Sequence, residues 1–177
     1  LCRWRHNGFA LMRKFVIMGV AGCGKTSVGT ALASRLGWQF IDGDALHPAS
    51  NIHKMESGIP LTDADRLPWL KQVGQSLRDH AGTIAIGCSA LKRSYRDVIR
   101  EAAGQKVCFL FLDGSRELIE KRMSERTGHF MPLSLLDSQF ATLERPQADE
   151  DAVIISIDGD LASIIDQITS KLEELEA

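Results

Sequence analysis

The feature that most constrains the fold is a glycine-rich segment at residues 19–26, which reads G-V-A-G-C-G-K-T. It fits the pattern G-x-x-x-x-G-K-[ST] at every fixed position. An apolar run at residues 15–18 precedes it, and a stretch with helical spacing at residues 25–36 follows it. Glycines permit a tight turn in which successive backbone N–H groups point inward. The segment therefore predicts a strand, a loop and a helix, with the loop binding phosphate groups.

The rest of the chain continues this alternation of apolar runs and helical patterns. Four more apolar runs lie at residues 39–41, 83–88, 106–112 and 152–157. Segments with helical spacing lie at residues 51–57, 63–80, 91–103, 115–127, 133–143 and 161–175. Strands that are apolar at nearly every position are covered on both faces. The pattern predicts an α/β fold with a parallel sheet and right-handed crossover helices.

The size and charge of the chain exclude several classes of protein. Its 177 residues and 19.5 kDa correspond to one domain of ordinary size. Its 21 basic and 23 acidic residues give a formal net charge of −2, whereas proteins that bind nucleic acid or anionic membranes usually carry a basic excess. No apolar run approaches the ~18 residues that span a bilayer. We therefore predict no nucleic-acid partner and no membrane association.

The limits of the domain and its cellular compartment can also be predicted. Met12 and two basic residues stand just before the first strand, so residues 12–177 are predicted to form a single domain and residues 1–11 an extension outside it. The apolar stretch at residues 9–12 is too short for the core of a signal peptide. Four scattered cysteines without metal-ligand spacing are typical of reduced thiols in the cytoplasm, which is the predicted location.

The glycine-rich segment predicts ATP and Mg²⁺ as cofactors. Lys25 is expected to act in catalysis by neutralising the β- and γ-phosphates, and the Thr26 hydroxyl to ligate Mg²⁺. The helix that starts near Lys25 adds the positive end of its dipole. We find no guanine-reading N-K-x-D segment of the kind that a switch GTPase needs. The residues predicted to hold the nucleotide are Gly19, Val20, Ala21, Gly22, Cys23, Gly24, Lys25, Thr26 and Ser27.

Two acidic residues follow the second predicted strand, in the sequence D-G-D-A-L-H-P at residues 42–48. In extended backbone, residues i and i+2 point to the same side, and ligands of open α/β sheets bind at the carboxyl ends of the strands. We predict that Asp42 binds Mg²⁺ and that Asp44 is the general base, accepting the proton of an attacking hydroxyl. The alternative is a solvated turn, because Asp-Gly is common in turns.

The segments that contain these residues resemble the gluconokinase family, over about residues 14–170. The matching segments are residues 19–26, 42–44, 47–48, 51–55, 58–63, 65–66, 68–70, 88–92, 95–97, 128–130, 139–140, 143–144, 146 and 148–150. The resemblance implies ATP-dependent phosphorylation of D-gluconate at its 6-hydroxyl, giving 6-phospho-D-gluconate and ADP for the pentose phosphate or Entner–Doudoroff route. It also implies a homodimer and the three-layer P-loop kinase fold, with a five-stranded parallel sheet of order 2-3-1-4-5, helices on both faces and a mobile lid at about residues 122–140.

A pocket for gluconate needs cations for the carboxylate and hydrogen-bonding groups for the hydroxyls. Side chains of these kinds lie in the resembling segments between the second strand and the helix after the third. The candidates for substrate binding are Asp44, His47, Lys54, Arg66, Ser89, Lys92 and Arg96. For each charged side chain the alternative is a solvated surface position, and for His47 it is to brace the turn before Pro48.

Arg122 and Arg126 lie four residues apart and therefore share one face of a helix. In similar kinases the first arginine of such a pair stacks on adenine and the second clamps phosphates, so the resemblance implies that both bind the nucleotide and that Arg126 is catalytic. The alternative is a solvated basic face. Gly128 then interrupts the helix, as at the hinge of a flap. His129 is either a substrate contact or an anchor of this lid.

Two other functions stay open from the sequence. One is another small-metabolite kinase of the same fold. Shikimate kinases are expected to carry a glycine triplet where residues 87–90 read G-C-S-A, and adenylylsulfate kinases share the D-G-D stretch but not residues 47–48 and 51–55. The other is a nucleotide-gated switch or a non-enzymatic ATP-binding module. Release of ADP with gluconate, shikimate, adenylylsulfate or no acceptor distinguishes these possibilities.

Overall fold

The computed structural model of the protein describes residues 13–125 and 133–175. Five parallel strands form one sheet in the order β2-β3-β1-β4-β5, which confirms the predicted topology. The strands are β1 (Lys14–Met18), β2 (Gln39–Asp42), β3 (Ile84–Gly87), β4 (Val107–Asp113) and β5 (Ala152–Ser156). Each lies within two residues of a predicted apolar run at both ends, because such runs are what a sheet covered on both faces requires.

Helices cover both faces of this sheet. They are α1 (Lys25–Leu36), α2 (Ala49–Glu56), α3 (Asp63–Asp79), α4 (Arg93–Ala103), α5 (Arg116–Ser124), α6 (Leu133–Thr142) and α7 (Leu161–Glu174), with one 3₁₀ helix at Gly43–Leu46. Alternate residues of β1 point to opposite faces. Phe15 and Ile17 pack in one core with α1 and α7, whereas Val16 and Met18 pack in a second core with α3 and α4. The three-layer α/β architecture is therefore confirmed.

The helix ends follow local signals. Ser115 caps α5, its hydroxyl accepting a hydrogen bond from the Leu118 N–H at 3.1 Å. Helix α4 starts at Arg93 rather than at residue 91, since Ala90 has left-handed backbone with φ of +45° and interrupts the helical path. Helix α5 ends at Ser124 rather than at residue 127. In the two described stretches, no helix is long and apolar enough to cross a membrane.

Some predictions fall on residues that the structure does not describe. The extension at residues 1–11 is one of them, and Arg126 and His129 are two others. They stay predictions. The lid predicted at about residues 122–140 is described only in part, by the end of α5 and most of α6.

Candidate functional site

The loop between β1 and α1 has the form that phosphate binding needs. Gly24 has φ of +100°, a left-handed conformation that favours glycine, and directly precedes α1. The Lys25 ammonium folds back over the loop and donates to the carbonyls of Gly19 at 3.0 Å and Val20 at 3.1 Å. The cation therefore lies at the mouth of a loop that joins a strand to a helix N-terminus, where an anion is favoured.

The side chains of this loop divide between the core and the cleft. Val20 and Cys23 are buried, so only their backbone faces the ligand side. Burial raises the pKa of the Cys23 thiol, although Lys25 and nearby backbone N–H groups act in the opposite direction. Cys23 is therefore a neutral packing residue under the loop, whereas Thr26 and Ser27 are exposed at the start of α1.

The two predicted Mg²⁺ ligands are in contact. The Thr26 hydroxyl donates to Asp42 Oδ2 at 2.8 Å, and the other oxygen of Asp42 accepts from the Asp44 N–H at 3.1 Å. One cleft is lined by Lys25, Thr26, Asp42 and Asp44, together with backbone of the loop and Gly87. A hydroxyl and a carboxylate are the oxygen ligands that Mg²⁺ prefers, so this pair fits the predicted ion.

Asp44 reaches the cleft by a route that differs from the prediction. We predicted extended backbone through residues 42–44, but β2 ends at Asp42 and a 3₁₀ helix begins at Gly43, with the Asp42 side chain as its cap. A Cβ atom on Gly43 would overlap the carbonyl oxygen of Gly87 in β3. The turn therefore fits against β3 only because residue 43 is glycine, and this close approach directs Asp44 into the cleft.

His47 has its orientation set by two neighbours that sequence reasoning did not assign. Its ring stacks on Trp69 with centroids 4.0 Å apart, and Trp69 donates its indole N–H to the Gly43 carbonyl at 2.7 Å. The amide nitrogen of buried Asn51 lies 3.2 Å from His47 Nδ1 and donates to the Asp65 carbonyl at 2.9 Å. Because an amide nitrogen can only donate, His47 Nδ1 accepts this hydrogen bond, and the ring proton therefore lies on Nε2.

The charge of His47 follows from its surroundings. Burial lowers the pKa of His47, Asp44 raises it, and Arg66 lowers it further, with a net decrease from the usual 6.5. At neutral pH the imidazole is therefore uncharged and offers an Nε2–H donor. A neutral donor of this kind suits a hydroxyl group rather than a carboxylate.

Lys54 is held in an ion pair between α2 and α3. Its ammonium donates to both oxygens of Asp65, at 2.7 and 2.9 Å. The same carboxylate completes a capping box with Thr62 at the start of α3. The hydrogen bond from Lys54, followed by those from Thr62, lowers the pKa of Asp65 to about 2. The structure thus gives Lys54 a clear role in fastening α2 to α3.

Arg66 and Lys92 lie together around one carboxylate. Asp63 accepts hydrogen bonds from Lys92 Nζ at 2.8 Å and from the Tyr95 hydroxyl, and its Oδ1 lies 3.8 Å from a nitrogen of Arg66. The hydrogen bonds from Lys92 and then Tyr95 lower the pKa of Asp63. We call these four residues the Asp63 cluster. Sequence reasoning selected its two cations but gave no role to Asp63 or Tyr95.

The prediction that Arg96 binds the substrate is corrected by the structure. Its side chain is fully buried and forms a two-pronged ion pair with buried Glu150, at 2.6 and 2.8 Å. Its remaining terminal nitrogen donates to the carbonyls of Ala90 and Leu91. With no exposed surface and its donors occupied, Arg96 cannot contact a ligand here. It braces the loop that precedes Lys92.

Glu150 gives this brace a pH dependence. Burial alone would raise the pKa of its carboxyl, but hydrogen bonds from Arg96, the Gln147 N–H and Arg100 outweigh this and lower it to about 2, from the usual 4.5. A depressed folded-state pKa stabilises the fold above pH 4.5, and this contribution is lost as pH falls toward 2.

We expect the free energy of unfolding, measured by urea titration, to decrease over this acid range. The decrease should be smaller in Glu150→Gln, which has no carboxyl to protonate. An equally steep decrease in that variant would contradict the assignment.

The remaining candidates border the loop. The Ser89 carbonyl accepts from the Gly19 N–H at 3.2 Å, which places Ser89 beside the loop through its backbone. Half-buried Arg122 donates to the carbonyls of Ile157 and Gly159 at 2.6 Å each. Helix α6 also contacts the loop, because the Gln139 side-chain oxygen accepts from the Ala21 N–H at 2.6 Å. Gln139 lies in a segment that matches the resembled family, but sequence reasoning gave it no role.

Comparisons with known proteins match this chain to small-metabolite kinases. The profile of the shikimate kinase family matches residues 21–173. The thermosensitive gluconokinase of Escherichia coli K12 is 53% identical over 157 residues, covering 86% of this chain and 83% of the relative. A gluconokinase of Gluconobacter oxydans is 52% identical over 147 residues, covering 81% of this chain and 82% of that protein.

Solved structures separate the family from its neighbours. A gluconokinase from Sinorhizobium meliloti 1021 has a TM-score of 0.85 and 48% identity, covering 92% of this chain and 93% of that one. An APS kinase from Mycobacterium tuberculosis has a TM-score of 0.65 at 20% identity, covering 92% of this chain and 98% of that one, and so shares the fold alone. The phosphate-binding loop, the paired aspartates and this degree of identity together place the chain in the gluconokinase family of P-loop kinases.

Proposed function

We propose that this protein transfers the terminal phosphoryl group of ATP to the 6-hydroxyl of D-gluconate, producing 6-phospho-D-gluconate and ADP. The observation that carries this proposal is the cleft in which Lys25, the Thr26–Asp42 pair and Asp44 meet, in a chain 53% identical to a gluconokinase. The acceptor is the part that the relatives supply, since the cleft alone suits any small hydroxyl compound.

In the proposed reaction, each group in the cleft has a distinct task. The loop N–H groups and Lys25 bind and orient the phosphates. Thr26 and Asp42 would hold Mg²⁺, which neutralises phosphate charge when it is bound. Asp44 accepts the proton of the 6-hydroxyl as that oxygen bonds to the γ-phosphorus, and the bond from this phosphorus to the bridging oxygen breaks to release ADP. The neutral His47 donor is placed to hold a gluconate hydroxyl.

The other predicted contacts complete the proposal. Arg122 and Arg126 would bind the nucleotide, and His129 would contact the substrate or anchor the lid. Ser89 would line the cleft beside the loop. We also propose that the enzyme is a homodimer in the cytoplasm, and light scattering of the purified protein tests the dimer by its mass.

Asp44→Asn tests the proposed base. We expect kcat with gluconate to fall by about 10² while the affinity for ATP persists, because the base assists the proton transfer but does not bind the phosphates. The measurements are coupled detection of ADP and titration with a fluorescent nucleotide. Asp79→Asn is the matched control. Asp79 is an exposed aspartate at the last residue of α3 and does not line the cleft. A near-normal rate in Asp44→Asn would exclude Asp44 as the base.

An acceptor panel tests the reaction itself. ADP release is measured with gluconate, shikimate, adenylylsulfate or no acceptor, with and without Mg²⁺. We expect release that depends on both gluconate and Mg²⁺. Release that is the same with and without an acceptor would favour a nucleotide hydrolase or binding module, and a preference for shikimate or adenylylsulfate would assign another kinase of this fold.

A further inference from the structure

The Asp63 cluster carries an excess of positive charge where the starts of α3 and α4 meet. Two cations, Arg66 and Lys92, lie around a single carboxylate. Both also border the ring of Tyr95, with Lys92 Nζ 5.3 Å and the Arg66 guanidinium carbon 5.9 Å from its centroid. The cluster therefore has a formal charge of +1, which one carboxylate from a ligand would neutralise.

The other candidate cation does not have this excess. Among the residues that the structure describes, Lys54 is matched by Asp65, which accepts from it through both oxygens. This pair is neutral as a unit, and the Asp65 carboxylate is further occupied by Thr62. A ligand carboxylate that approached Lys54 would have to displace a short, two-oxygen contact. The charge balance therefore favours Arg66 and Lys92 over Lys54.

The cluster is accessible and lies near His47, whose ring stacks on Trp69 of the same helix as Asp63 and Arg66. The side chains of Lys92 and Arg66 are 31% and 33% exposed, so both can meet a ligand. Asp44 and Arg66 each lie close enough to His47 to affect its charge state. An open-chain aldonate has its carboxylate and its terminal hydroxyl at opposite ends. His47 thus has both the proposed base and one of the two cations near it, as a ligand with a hydroxyl at one end and a carboxylate at the other requires.

Resting on the proposed function, we infer that Lys92 and Arg66 bind the carboxylate of the aldonate, and that Asp63 and Tyr95 are positioning residues for these cations. Lysine and arginine side chains lose much rotamer freedom when they are held in one place. Asp63 restrains both without cancelling their combined charge, and the Tyr95 hydroxyl fixes the orientation of Asp63. The site therefore selects a monoanion over a neutral polyol or amide.

The test compares gluconate with D-gluconamide, which keeps the hydroxyls but lacks the charge. A charge-assisted hydrogen bond contributes ~1.5–3 kcal/mol, so Lys92→Gln should lower the ratio of kcat/KM for gluconate to that for gluconamide by ~10-fold or more. Lys171→Gln is the matched control, because Lys171 bonds to a carbonyl of β5 at the opposite edge of the sheet. Its ratio should equal that of the unchanged enzyme.

The positioning role predicts a separate result. In Asp63→Asn and Tyr95→Phe we expect the KM for gluconate to rise by about 10-fold, with kcat and the KM for ATP changed by less than about 2-fold. Thermal melts establish that each variant is folded. Asp63→Glu, which keeps the carboxylate, should recover part of the lost affinity.

The outcomes distinguish a wrong carboxylate assignment from a wrong proposed function. If Lys92→Gln lowers kcat/KM equally for gluconate and gluconamide, the carboxylate assignment is wrong even though the enzyme phosphorylates gluconate. If Asp63→Asn lowers kcat and changes the KM for gluconate and the KM for ATP to the same extent, Asp63 stabilises the structure generally and does not position the cations. If the unchanged enzyme does not phosphorylate gluconate, the proposed function fails and this inference fails with it.

Discussion

Lys25→Met is expected to lower kcat/KM for ATP by about 10³, the largest effect expected of a single substitution in this site. The ammonium lies over the loop carbonyls of Gly19 and Val20, where it is preorganised for the phosphates and for the charge that develops during transfer. Methionine keeps an unbranched side chain, one atom shorter, and removes the charge and the donors. Coupled measurement of ADP release over a range of ATP concentrations gives the value.

Two observations make this result interpretable. The stability of Lys25→Met should change little, since the hydrogen bonds that Lys25 donates go to Gly19 and Val20 of its own loop and connect no other element. Lys71→Met is the matched control, because Lys71 is an exposed lysine of α3 and its replacement should leave kcat/KM unaltered. A Lys25→Met enzyme that retains more than a tenth of the original kcat/KM would show that the loop lysine does not have the proposed role.

Glu150→Ala should destabilise the fold by about 3–5 kcal/mol, because it leaves the buried Arg96 charge without its partner. For a domain of this size each kcal/mol corresponds to ~2–4 °C in Tm, so a thermal melt should show a large decrease. Glu150 is also bonded to Arg100 and to the Gln147 N–H. The substitution therefore removes the buried contacts between the segment before β5 and α4.

The neighbouring residue provides the control. Asp149 pairs with Arg93 through both oxygens, but both side chains are exposed. Exposed pairs contribute at most about 1 kcal/mol, so Asp149→Ala should change Tm little. If Asp149→Ala and Glu150→Ala destabilise equally, burial of the Arg96–Glu150 pair is not the cause.

The fold was predictable from the sequence because its signals are local. Apolar runs identified all five strands, and the spacing after Lys25 identified α1 with both of its ends. The loop at residues 19–26 identified β1 as the strand that leads into the phosphate-binding site. Strand order came only from the family resemblance, since a run of apolar residues carries no information about which strand is its neighbour.

The site was predicted less completely, and the errors have physical causes. Arg96 looks like any surface arginine in the sequence, because its partner Glu150 lies 54 residues away. The turn at Gly43 depends on the Gly87 carbonyl of another strand, so a local pattern could not reveal it. Asp63 has the local appearance of a first-turn helix residue, and its contacts with Lys92 and Tyr95 arise only when α3 and α4 come together.

The buried Arg96 connects two properties that are usually adjusted separately. Its guanidinium anchors Glu150 on one side and, through the carbonyls of Ala90 and Leu91, the loop that leads into Lys92 on the other. A protein engineer who replaced the Arg96–Glu150 pair with apolar side chains to gain heat tolerance would release that loop. The improved thermostability would then come with weaker recognition of the acid substrate, so selection on either trait alone acts on both.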